Sequence, residues 1–216
     1  MNSRQYKRFR KATEYNLEKQ KKKDNYDFLN KTACKTGQVV FAGDSITELI
    51  NMELFDDYRE KSGLIVYNRG ISGDTSDRMA ERFYDNVLSI APSKIVILIG
   101  INDLSKKADV SLIVNNVEKM LKQNAEVCGA KVILQAVYPI STVMRPHVRK
   151  SCSTKRIALT NDGLKQLATK YNATFIDLTE QLAYKDGNLK REYTYDGLHP
   201  NAVGFKLVID RILEIL

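Results

Sequence analysis

The sequence predicts an α/β fold, a three-layer α/β/α sandwich around a five-stranded parallel sheet. From Cys34 onward, short apolar runs alternate with helical segments, the pattern of repeated βαβ units. The runs are near-continuous Val, Ile and Leu without polar alternation, as strands covered on both faces require. Size and composition agree: 216 residues, 43 % hydrophobic and 28 % charged, suffice for one well-buried domain. They exclude a disordered, collagen-like or disulfide-scaffold chain.

The strands are expected at Gln38–Ala42, Leu64–Asn68, Lys94–Ile99, Lys131–Val137 and Thr174–Leu178. Helices are expected between and after them, at about 50–60, 75–89, 110–127, 153–171 and 203–215. The last of these carries Val203, Leu207, Ile212 and Leu216 on an amphipathic repeat, with Pro200 suited to its start. No internal repeat, low-complexity tract or Pro/Gly-rich linker divides the chain. The organisation is therefore a basic helical arm, residues 1–33, and one domain, 34–216.

The formal net charge is +8, but it is concentrated at one end. Residues 1–23 hold nine basic side chains (Arg4, Lys7, Arg8, Arg10, Lys11, Lys19, Lys21, Lys22 and Lys23) against Glu14 and Glu18. That is +7, leaving +1 for the rest. The main domain is nearly neutral, and no nucleic-acid partner is expected. With apolar positions at Tyr6, Phe9 and Leu17, the arm reads as a solvated helix docked by a few aromatics. A second subunit, an anionic membrane surface and RNA are its other conceivable partners. No apolar run approaches the ~20 residues of a membrane span, and the N-terminus lacks the apolar segment of a secretory signal, so a cytoplasmic location is expected. Cys34, Cys128 and Cys152 are widely spaced, as reduced thiols would be, and neither a metal nor a cofactor is implied.

Ligands of open parallel sheets bind beyond the carboxyl ends of the strands. There the sequence places Gly43-Asp44-Ser45, Gly70-Ile71-Ser72-Gly73-Asp74 and Gly100-Ile101-Asn102-Asp103. Near the C-terminus stands Tyr195-Asp196-Gly197-Leu198-His199-Pro200, with one of the chain's two histidines. A serine hydroxyl needs a general base to take its proton, and the base works best when a third group fixes its tautomer. Asp196 and His199, three residues apart, can supply that pair, with the free ring nitrogen facing Ser45.

These segments resemble the four blocks of the SGNH hydrolase superfamily, the GDSL esterases and lipases, over about Gln38 to Gly204. Gly43-Asp44-Ser45-Ile46-Thr47 is similar to the first block, with Ile46 where leucine is commonest. Asn68-Arg69-Gly70-Ile71-Ser72-Gly73-Asp74-Thr75 is similar to the second, Gly100-Ile101-Asn102-Asp103 to the third and Asp196-Gly197-Leu198-His199-Pro200 to the fifth. The resemblance implies a flavodoxin-like hydrolase fold and catalysis by Ser45, His199 and Asp196. It further implies an oxyanion hole from the backbone N–H of Ser45 and Gly73 and the Asn102 amide. Donors placed around a developing oxyanion are usually a large catalytic term. Asp44, Asp74 and Asp103 read as helix caps or turn closers.

The expected activity is hydrolysis of a small-molecule ester through an acyl-enzyme. Short acyl groups, acetyl first, on a polar alcohol such as a sugar are favoured, because the stretch Pro139–Ser153 is poor in sizeable aliphatics, with Ile140, Val143 and Met144 interspersed among basic residues. A lysophospholipase or thioesterase is the alternative within the family. From another class, the alternative is a non-catalytic RNA- or membrane-binding protein using the basic arm. A rival nucleophilic pair, His147 with Cys152, lies in that same stretch, read as an irregular loop bordering the site with Arg145, Arg149 and Lys150.

Overall fold

The computed structural model describes residues 3–216, and the side chains of Gln5 and of residues 12–216. Five parallel strands form one sheet: β1 (Val39–Gly43), β2 (Val66–Gly70), β3 (Lys94–Leu98), β4 (Lys131–Gln135) and β5 (Thr174–Ile176). Their spatial order is β2-β1-β3-β4-β5. The helices among the described residues are α1 (Ser3–Thr32), α2 (Ser45–Glu48), α3 (Asp56–Ser62), α4 (Ser76–Glu81), α5 (Phe83–Asn86), α6 (Ile101–Ser105), α7 (Val110–Val127), α8 (Pro146–Ser151), α9 (Thr154–Lys170), α10 (Thr179–Leu182) and α11 (Ala202–Leu213).

The chain steps outward from β1 to β2, then back across the sheet to β3, β4 and β5. Right-handed crossovers therefore put α3 on one face and α4, α7 and α9 on the other, and α7 packs against both α4 and α9. The central strands β1 and β3 are buried on both faces, with Val39, Val40, Ile95 and Ile97 fully covered. Ile113, Val117 and Met120 of α7, Leu164 of α9 and Phe205, Val208 and Ile212 of α11 complete the core. Phe41 of β1 meets Phe55 edge to face at 5.0 Å between ring centroids. Register positions the site: Gly43 lies opposite Gly70 on one side and Leu98 on the other, so three loops leave the sheet at one level.

Element boundaries depart from the sequence reading where side chains take over the work of backbone pairing. β1 runs from Val39 to Gly43, and β3 stops at Leu98. β2 begins two residues later than expected and runs on through Arg69 and Gly70, whose backbones pair with Ala42 and Gly43 although neither is apolar. β4 stops at Gln135 because the Val137 N–H goes to the Asn161 side chain at 2.8 Å. β5 ends at Ile176, two residues before the expected Leu178, after which Asp177 takes the Thr179 N–H at 2.9 Å. The helix expected at 75–89 is broken into α4, α5 and a 3-10 turn at Leu88–Ile90, with Arg82 at the break, its side chain turned into the interior. The segment 50–60 opens as a 3-10 turn, Met52–Phe55, before α3. The stretch 139–153, read as irregular, contains α8.

The arm is the long helix α1, and it docks through a polar stripe. Leu17, expected as a docking position, is 53 % exposed, and Phe28 is exposed as well. Contact is made instead by Tyr15, Lys19, Lys22, Tyr26 and Asn30, three or four residues apart on one helix face. Tyr26 donates to the Gly70 carbonyl at 2.8 Å, and Asn30 to the carbonyls of Asp85 and Asn86 at 2.9 and 3.1 Å. Buried Arg69 donates to Asn30 Oδ1 at 2.7 Å while lying over the rings of Tyr26 and Tyr67. Polar partners are needed because the surface beneath α1 is made of loop carbonyls and carboxylates rather than sheet. The side chains of Arg4, Lys7, Arg8, Arg10, Lys11, Tyr6 and Phe9 lie outside the described residues.

At the end of β2, a Cβ on Gly70 would overlap the backbone N of Glu48 and lie 2.9 Å from the Asp44 carbonyl. Backbone cannot yield as a flexible side chain can. Gly70→Ala is therefore expected to destabilise the protein by about 3 kcal/mol, the upper part of the usual overpacking range. A lowered urea midpoint with unchanged slope would register this, and an unchanged midpoint would refute it.

Candidate active site

β1 ends at Gly43, and Asp44 caps the following turn of helix by accepting the Ile46 N–H at 3.0 Å. Ser45 is the first residue of α2 and stands partly exposed above the sheet end. Its Oγ is 2.9 Å from His199 Nε2, across 154 positions of sequence. On the other side of the ring, Nδ1 is 2.5 Å from Asp196 Oδ2. An ionised carboxylate only accepts, so the ring proton sits on Nδ1 and Nε2 is left to accept from the serine hydroxyl.

A tight turn holds the Asp–His pair. Asp196 Oδ1 accepts the N–H of Leu198 and of His199 at 2.9 and 2.8 Å. Thr194 Oγ1 takes the Gly197 N–H at 2.9 Å and donates to the His199 carbonyl at 2.8 Å. Gly197 has φ +86°, and the Ser141 N–H donates to its carbonyl at 2.8 Å, so the 139–145 segment packs against this turn. Burial works to raise the Asp196 carboxyl, but the bonds from the His199 ring and from the two N–H groups outweigh it and hold the pKa below the ordinary carboxylate range. The acid thus stays ionised although half-exposed. The final helix begins at Ala202, one residue before the expected 203, and is capped by Asn201, with Pro200 lying just outside it.

The structure brings the expected oxyanion donors to the same end of the sheet. Asp74 N–H donates to the Ile71 carbonyl at 3.0 Å, closing a turn whose third residue, Gly73, has φ +72°. Asn102 lies in the first turn of α6. Its Nδ2 donates to the Asp74 carbonyl at 3.0 Å and, less tightly, to Asp44 Oδ2 at 3.2 Å. The amide is thereby fixed across the two loops, with its second hydrogen on the longer contact.

The neighbouring acids are held in place by specific partners. Asp103 accepts the Ser76 N–H and hydroxyl, capping α4 rather than the helix that follows it in sequence. Asp74 pairs with buried Arg82 at 2.7 Å and with Lys19 of α1 at 3.1 Å, and Arg82 also donates to the Gly43 carbonyl at 3.1 Å. Burial drives the Asp44 carboxyl up to about 7 against the Ile46 N–H and the nearby His199 ring, which pull it down.

The rival pair does not form a site. Cys152 is buried, its thiol pushed up to about 11 by loss of water, whereas His147 faces solvent on α8. Two groups at the site escaped the sequence reading. Thr194 gave no signal beyond its place before Asp196. Tyr15 and Lys19 reach the Gly73 loop from more than 50 residues away, and only their four-residue spacing hinted at a shared face. Among the described residues no cluster of His, Cys, Asp and Glu could hold a metal ion, and no helix is long and apolar enough to cross a membrane.

Comparison with known proteins extends this picture. Residues 41–207 match the family model described as the GDSL-like lipase/acylhydrolase family. A solved structure from Streptococcus pneumonia, provisionally described as a platelet activating factor, superposes with a TM-score of 0.85 at 25 % identity, covering 100 % of this chain and 99 % of that one. A GDSL-like lipase from Bacteroides thetaiotaomicron gives 0.75 at 25 % identity, covering 89 % and 97 %. The N-acylneuraminate cytidylyltransferase of Escherichia coli is 29 % identical over 184 residues, 80 % of this chain. The chain spans only 41 % of that relative's length.

The raised Asp44 carboxyl predicts a pH signature. The folded state holds this proton more tightly than the unfolded chain, whose carboxyl titrates near 3.9. Its contribution to stability is complete below about pH 4 and is lost as pH rises through about 7. Asp44→Asn removes the titration, so the melting temperature of the variant relative to wild type is expected to climb from pH 4 to 7.5. The full linkage is about 4 kcal/mol at most. A difference that stays constant over this range would refute the assignment.

Proposed function

Since the chain belongs to the GDSL-like lipase/acylhydrolase family and is an ester-hydrolysing enzyme, we propose that it is a serine esterase using Ser45, His199 and Asp196. The observation that carries this reading is the line Ser45 Oγ, His199 ring, Asp196 carboxylate, at 2.9 and 2.5 Å. Ser45 Oγ attacks the ester carbonyl carbon as His199 Nε2 takes its proton, and Asp196 steadies the imidazolium through Nδ1–H. The carbonyl electrons move onto oxygen, facing the N–H of Ser45 and Gly73. The Asn102 amide, oriented by the Asp74 carbonyl, is the third donor we assign to that oxyanion. Collapse expels the alcohol, protonated by His199. Water then attacks the acyl carbon as His199 takes its proton, and the adduct collapses with cleavage of the bond to Ser45 Oγ, which takes the proton back from His199 as the acid leaves.

The substrate we infer is a short acyl ester, acetyl first, of a polar alcohol such as a sugar. Three features support it. The site is open, with the Asp196 side chain 54 % and the His199 side chain 27 % exposed, and the adjoining Tyr195 is largely in solvent. The bordering 139–145 segment offers only half-exposed Val143 and Met144 as apolar wall beside Gly197. The Escherichia coli relative is named for N-acylneuraminate, an acylated sugar acid, although its named nucleotidyl transfer is not chemistry that a serine and histidine supply. Three free cysteines suit a reducing compartment, and we place the enzyme in the cytoplasm. Two of the nine basic residues in 1–23, Lys19 and Lys22, are engaged by Asp74 and Glu48 of the domain itself.

Ser45→Ala is expected to abolish ester hydrolysis while leaving the melting temperature within a few degrees of wild type. A fluorophosphonate should label wild type once, at Ser45, by mass spectrometry. Labelling elsewhere, or an active alanine variant, would overturn the assignment.

Acyl length is read by kcat/KM on p-nitrophenyl acetate, butyrate, octanoate and palmitate below their aggregation limits. Each buried methylene would need matching apolar wall, worth about 0.8 kcal/mol. The maximum is expected at acetate or butyrate. A maximum at eight carbons or more would put a lysophospholipase or thioesterase first.

A further inference from the structure

We propose that Tyr15, on the N-terminal helix, is a specificity-determining wall of the substrate cleft on its Gly73 side, held in place by Lys19. The proposal rests on the serine-esterase reading above and assigns a role to α1 within it.

The loop that carries Gly73 is touched by α1 at three successive residues. The Tyr15 hydroxyl donates to the Ser72 carbonyl at 3.2 Å. The same hydroxyl covers the open face of Gly73, where a Cβ would overlap it. Lys19 Nζ lies 3.1 Å from Asp74 Oδ1 and 4.8 Å from the centre of the Tyr15 ring, so one ammonium secures both the loop and the aromatic wall. Glu48 completes the grip, accepting the Ser72 N–H at 2.5 Å while pairing with Lys22.

This docking differs from what simple helix burial would produce. A helix docked only for stability would bury its apolar residues, yet Leu17 and Phe28 face solvent, and the Tyr15–Lys22 part of the stripe lies on the loop beside the reacting serine while Tyr26 and Asn30 anchor the helix farther along. Tyr15 itself remains 44 % exposed although its hydroxyl is tethered. Its ring is thus fixed in position and still open to a ligand. An ester held with its carbonyl oxygen toward the Gly73 N–H has one of its two arms, acyl or alcohol, running past this ring. The ring limits the size of that arm.

Two ester series test this: acyl length at fixed p-nitrophenol, and alcohol size at fixed acetyl. In Tyr15→Ala the kcat/KM ratio of the bulkiest to the smallest substrate is expected to rise about tenfold or more in one series and to stay near wild type in the other. Tyr15→Phe, which keeps the ring, should retain the wild-type profile. Tyr15→Trp, which enlarges the wall, should lower the same ratio and provides the test should the alanine variant fail to fold. Uniform scaling of both series, or no change in either, in the folded variants would overturn the proposal. Labelling of Ser45 by a small methyl fluorophosphonate, run on every variant, separates the two readings. Labelling with an unmoved substrate profile defeats only the wall, whereas an unlabelled wild type defeats the serine-esterase reading itself.

Discussion

Asp74 is the point on which the arrangement of the site turns. Its carboxylate is divided between buried Arg82 and Lys19, and its carbonyl takes the Asn102 amide. Arg82 in turn holds the Gly43 carbonyl at the end of β1. One residue thereby ties together the strand that presents the serine, the loop that presents Gly73, the asparagine of the third loop and the N-terminal helix. A buried carboxylate with two cations is costly to break from one side, since a lone charge would be left in the interior. The loops after β1, β2 and β3 are consequently not independent of one another, and that rigidity is what the proposed oxyanion site needs if its donors are to be in place before charge develops.

The layout divides chemistry from support along the chain. Glycines at Gly43 and Gly70 let two strand ends and α2 come together without side chains, which raises Ser45 above the sheet. The proposed acid and base, Asp196 and His199, arrive on a turn stabilised by its own backbone, by the Asp196 carboxylate and by Thr194. The Asp–His pair is therefore a self-contained unit. It needs the rest of the fold only to be set down opposite the serine, which the Ser141 contact to Gly197 and the seating of α11 accomplish.

Much of this was legible in the amino-acid order because the relevant signals are local. Continuous apolar runs marked β1, β3 and β4, and small polar residues directly after them marked where ligands would meet the sheet. Asp196 and His199 are close enough in sequence to pair, and the order of the other blocks along the chain singles that pair out. What was not legible depends on long-range partners. The end of β4 is decided by Asn161 and the break at Arg82 by a carboxylate eight residues away. The arm's docking face is polar and was hidden by its charge: a lysine that will pair with a carboxylate 55 residues on looks the same in sequence as one bathed in water. Leu17 drew attention as an apolar position and proved exposed for the same reason.

The distance along the chain between Ser45 and His199 also has a consequence in time. On the serine-esterase reading, the base is synthesised 154 residues after the serine. At ordinary translation speeds of about 5–20 residues per second, the nascent chain carries an unactivated hydroxyl for roughly 8 to 30 s. During that interval, on the same reading, the half-made sheet is not expected to be acylated by an ester. On the serine-esterase reading, the hydroxyl we assign as nucleophile meets its base only when the two ends of the sheet domain close on each other.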